Sequence, residues 1–114
     1  MKDRRTNERH NLIMYLRVHD QTTDSLVGHV VDVSTGGLML VTNEAFEPYS
    51  QHKLRVLLPY TEDAEQTLDI DVECRWCGPD ANEAYYDAGF RFVEPTAELR
   101  ETIAGVVEDV GFAA

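Results

Sequence analysis

Near the start of the chain Arg5-Thr6-Asn7-Glu8-Arg9 reads R-x-x-x-R, with Arg4 directly before it. Guanidinium is planar and permanently charged and carries a rigid fork of donors. It binds phosphate, pairs bidentately with the O6/N7 edge of guanine, and stacks on a purine face. A second group, Asp32-Val33-Ser34-Thr35-Gly36-Gly37, reads D-x-S-x-x-G. A carboxylate such as Asp32 accepts from the N1–H and N2–H pair of a guanine. Ser34 can donate to a phosphate or cap a turn. Gly36 and Gly37 allow positive φ and let a ligand approach the backbone closely. Each group also has an ordinary reading. The arginines can be solvated tail charges, and Asp, Ser and Gly are common hairpin-turn formers.

The elements that would position these groups follow from periodicity. Residues 1–10 show no apolar period and read as a flexible polar arm. Leu12, Met14, Leu16 and Val18 alternate with Ile13, Tyr15, Arg17 and His19, the pattern of a strand with one buried face. Leu26–Val33 and Leu38–Thr42 read as the next strands, with the D-x-S-x-x-G turn joining them. Lys53–Leu58 is a fourth strand, stopped by Pro59. Leu68, Ile70, Val72, Cys74 and Trp76 alternate with Asp69, Asp71, Glu73, Arg75 and Cys77, a fifth strand with one wet face. Tyr85–Val93 is the sixth. Pro95-Thr96 opens a helix with Thr96 as N-cap, and Leu99, Ile103, Val106, Val107 and Val110 share one face of it. The expected fold is therefore all-β dominated: a closed or nearly closed six-stranded antiparallel barrel, with one C-terminal helix over an open end or a face. The whole chain, 1–114, reads as one domain, with the arm at 1–10, the barrel at 11–93 and the helix at 95–110.

Composition narrows the function. The formal net charge is -11, and so acidic a molecule is repelled by DNA and RNA. Residues 1–20 are the exception, with Lys2, Arg4, Arg5, Arg9 and Arg17 against Asp3, Glu8 and Asp20. A cationic arm on an acidic body suits a small anion. An apolar content of 43% argues against disorder. No apolar run is long enough to span a membrane, and the charged N-terminus lacks a signal-peptide pattern, so a cytoplasmic location is expected. Cys74 and Cys77 spell C-x-x-C without further ligands at zinc spacing, and read as structural cysteines in a reducing compartment. Asp69, Asp71 and Glu73 read as a solubilising edge. No nucleophile–base pair or metal set is evident, so an enzyme is not expected.

Taken together, the order, spacing and strand context of the two motifs resemble the PilZ domain family, bacterial receptors for cyclic di-GMP. Ala88-Gly89-Phe90-Arg91-Phe92-Val93 also resembles the family's last strand. The resemblance implies a PilZ-type barrel with a C-terminal helix and a mobile arm that folds over the nucleotide. It implies that Arg5 and Arg9 clasp guanine and phosphate, and that Asp32, Ser34 and Gly37, with Gly36 beside it, hold a guanine. An arginine just before R-x-x-x-R, here Arg4, accompanies binding of two intercalated molecules in this family, so two cyclic di-GMP per chain are expected.

Trp76 is the one tryptophan. Its phase in the fifth strand groups it with Ile70, Val72 and Cys74, which favours packing inside the barrel. A bulge near the strand end would instead turn the ring outward, where a related position in some PilZ domains meets the ligand. The expected function is a non-enzymatic second-messenger receptor, monomeric or weakly dimeric, that passes its signal to an unidentified downstream protein in motility, biofilm or a related process. The alternative is a nucleotide-independent PilZ-type adaptor, as in pilus or motility assembly, and the intact motifs argue against it.

Overall fold

A computed structural model describes the backbone over residues 10–58 and 66–110 and side chains over 16–58 and 67–105. Six strands, β1 (His10–Asp20), β2 (Leu26–Val33), β3 (Gly37–Thr42), β4 (Gln51–Leu58), β5 (Gln66–Pro79) and β6 (Tyr86–Phe92), precede one helix, α1 (Ala97–Val110). All pair antiparallel and close into a barrel of order β1-β2-β3-β6-β5-β4. Closure comes from β1 against β4, with His19 opposite Arg55. The expected barrel and terminal helix are both present.

Alternation builds the interior. Along β5, Ile70, Val72 and Cys74 are buried while Asp69 and Asp71 are exposed. Leu40, Leu54 and Val18, all fully buried, meet them from the other strands. The acids of β5 do not form an edge, because a closed barrel has none. Each faces a cross-strand base: Lys53 Nζ lies 3.2 Å from Asp71, Arg55 Nε 2.8 Å from Asp69, and Arg91 Nε 2.6 Å from Glu73. Opposite charges placed directly across a ladder favour this register over a slipped one.

Thr96 caps α1, its Oγ1 accepting from the Leu99 N–H at 3.0 Å. The helix lowers Ile103 into one end of the barrel. That side chain is buried and closes a void of only about 20 Å3 lined by Leu16, Val33 and Leu58. So tight a fit is what packed interiors require. The helix thus covers an open end, the first of the two arrangements expected.

Candidate functional site

Two β-bulges aim the site. β2 and β3 pair in step through Val30↔Leu40, then resume at Asp32↔Met39, so Val31 is an extra residue. Val30 and Val33 are both buried. In an unbroken strand Asp32 would share the inner face with Val30; the bulge turns it outward. β5 and β6 behave the same way. Cys74 pairs with Phe90 and Trp76 with Gly89, leaving Arg75 extra. Cys74 is buried, whereas Trp76 is 47% exposed. Bulges re-aim side chains in this manner, and they concentrate beside functional sites. Of the two placements the sequence left open for Trp76, the outward one is observed.

These outward residues converge on one groove of about 180 Å3 across the outer face of β2, β3, β6 and β5. Asp32, Ser34, Gly36 and Gly37 form one wall, Arg75 and Trp76 the other, and Gly89 lies between them. The turn at its rim is fixed by its own hydrogen bonds. Ser34 N–H donates to the Gly37 carbonyl at 2.9 Å, and Gly36 N–H donates to Ser34 Oγ at 3.3 Å. Phe92 N–H donates to the Gly36 carbonyl at 3.0 Å, which ties the turn to the end of β6.

The glycines serve differently from expectation. Neither Gly36 nor Gly37 has positive φ. Gly37 is needed because a Cβ there would collide with the Phe90 carbonyl on the adjacent strand. At Gly36 a Cβ would meet nothing, so the backbone is open to a ligand. Gly89 acts as a floor: the Trp76 indole occupies the space its side chain would need.

Arg4, Arg5 and Arg9 lie outside the described residues. Their attachment point does not. His10 pairs with Val33 and Asn11 with Asp32, so the chain that follows Arg9 enters the barrel beside the D-x-S-x-x-G turn. Asp32, Ser34, Gly36, Gly37 and Trp76 are brought together as lining of one groove. Arg75 was not singled out from the sequence, because on an alternating strand its charge reads as one more solvated residue.

The C-x-x-C residues are both free thiols. Burial pushes the Cys74 thiol up, with Cys77 nearby adding to it. That is the opposite of a reactive redox cysteine. Among the described residues no group of three or more His, Cys, Asp or Glu could hold a metal ion, and no helix is long and apolar enough to cross a membrane. A larger cavity, about 360 Å3, lies between the β1–β2 turn and the β3–β4 loop, near Asp20, Phe46 and His52, and gathers none of the motif residues.

The PilZ domain family model matches residues 3–109. The chain belongs to the PilZ domain family. Solved structures share the fold. The PilZ domain of YcgR from Escherichia coli, solved with c-di-GMP, superposes with a TM-score of 0.71 at 13% identity, covering 95% of this chain and 92% of that one. Bacillus subtilis MotI/DgrA, an inhibitor of motility, gives 0.69 at 17% identity, covering 94% of this chain and 51% of that one. The K. pneumonia MrkH–c-di-GMP complex gives 0.65 at 17% identity, covering 96% of this chain and 53% of that one. This PilZ chain therefore spans about half the length of MotI/DgrA and MrkH. No curated protein matches it.

Proposed function

We propose that this chain is a non-enzymatic receptor for cyclic di-GMP. One observation carries the reading: the strand that follows the R-x-x-x-R motif enters the barrel beside Asp32, and two bulges turn Asp32 and Trp76 onto the same outer surface. The YcgR and MrkH structures, which hold c-di-GMP on the same fold, support it.

In this reading Asp32 accepts from a guanine edge, and the open backbone at Gly36 lets the ligand lie close. Trp76 offers a stacking face. Arg5 and Arg9 close over the nucleotide as the arm takes up a fixed position. Ordering each arm residue costs about 1–2 kcal/mol, and charge-assisted hydrogen bonds to phosphate and guanine offset it. Arg4 supplies a further guanidinium, and two nucleotides bind per chain. The covered arm makes a new surface that a downstream protein reads.

Calorimetric titration of cyclic di-GMP tests this. The wild-type chain should bind saturably with two ligands per chain. Arg5→Ala, Arg9→Ala and Asp32→Ala should each abolish or severely weaken binding. No heat with the wild type would overturn the receptor reading; a single ligand per chain at high concentration would overturn the stoichiometry alone.

A further inference from the structure

We infer that Arg75 is a further nucleotide-binding residue of the groove: it presents positive charge to the ligand's phosphates, and Tyr49 holds it in place. The inference rests on the receptor reading above.

Arg75 is the extra residue of the β5 bulge and lines the groove with Trp76 and Asp32. Its neighbours on the outer faces of β4, β5 and β6 are committed elsewhere. Lys53, Arg55 and Arg91 each sit within 3.2 Å of an acid on β5. Among the described residues Arg75 makes no such ion pair. Its contact is with the Tyr49 ring, whose centroid lies 5.7 Å from the guanidinium carbon. A ring contact positions a guanidinium without using up its hydrogen-bond donors.

Tyr49 holds that position under strain. Its φ is 71°, a left-handed conformation costly for a bulky side chain. The surroundings enforce it. Tyr49 N–H donates to the Cys74 carbonyl at 2.6 Å, and Cys74 N–H donates to the Ser50 carbonyl at 2.9 Å. This pins the loop to the residue directly before Arg75, so the bulge and its aromatic support move as one unit.

Charge gives the arrangement its purpose. The chain carries a formal -11, and the described lining of the groove holds one carboxylate, Asp32, and one cation, Arg75. A dianionic ligand approaching so acidic a chain meets repulsion that Arg75, in the groove wall, is placed to offset.

The test is calorimetry with cyclic di-GMP across a salt series, on the wild type, Arg75→Gln, Arg75→Lys and Tyr49→Gly. Arg75→Gln should bind about tenfold more weakly, the scale of one charge-assisted hydrogen bond, and with a shallower salt dependence. Arg75→Lys should restore the salt dependence and part of the affinity, since it keeps the charge and loses the fork. Tyr49→Gly relieves the strained φ, so its melting temperature should hold or rise while affinity falls several-fold. Those opposite movements separate a positioning role from a structural one. Arg75→Gln with wild-type affinity and salt dependence would overturn the inference alone. Absence of binding by the wild type would overturn the receptor reading beneath it.

Discussion

The Trp76 indole fills the space that a side chain on Gly89 would occupy. One residue is a large ring on a bulge of β5, and the other is its partner across the ladder on β6. Gly89→Ala should therefore displace the ring without breaking the barrel, because the collision is with a half-exposed side chain. The expected result is a shifted tryptophan emission in the free protein and weaker cyclic di-GMP binding, with a melting temperature close to wild type. Unchanged emission would show that the ring does not rest on Gly89.

The helix plug gives a prediction about stability. Ile103 is 3% exposed and seals the barrel end against Leu16, Val33 and Leu58. Ile103→Ala should cost about 2–5 kcal/mol, since the rigid strand walls cannot collapse into the gap. Chemical denaturation should show a lower midpoint with little change in slope. A loss below about 1 kcal/mol would mean that the helix is not a plug.

A carboxylate pair supplies the pH dependence. The Asp80 carboxylate beside Asp87, together with burial, pushes the Asp87 carboxyl up, while the Asn82 backbone N–H at 2.9 Å holds Asp80 down. Asp87 Oδ1 is buried with no hydrogen-bond partner. A carboxyl raised above its ordinary value of 3.8 favours the folded state fully below that value, and loses that contribution as pH rises through its raised one. Asp87→Asn removes the repulsion and lends Asp80 a donor. Its melting temperature should exceed wild type at pH 7, and the gap should close as pH falls below about 4. A gap independent of pH would mean that charge is not the cause.

Much of the barrel was legible because burial imposes a two-residue period. Leu68, Ile70, Val72 and Cys74 announce β5, and Leu26–Val33 was read with the bounds observed. What could not be read is where the period slips. A bulge adds one residue and has no fixed sequence mark, so Val31 and Arg75 look like ordinary strand positions. By phase alone Asp32 and Trp76 belong inside; only the ladder registers show why both face out. The strand order, with β3 beside β6 and β1 closing on β4, is likewise a matter of distant pairings. The same holds for Tyr49, whose strained φ and contact with Arg75 join a loop to a bulge far along the chain.

Trp76 is the sole tryptophan and stands in the wall of the groove, so its fluorescence reports directly on whether the nucleotide lies there. Titrating cyclic di-GMP into the wild-type chain should give a saturable change in emission, and Asp32→Ala should suppress it at the same concentrations. An unaltered spectrum at saturating nucleotide, with binding confirmed by calorimetry, would place the ligand elsewhere and contradict the account.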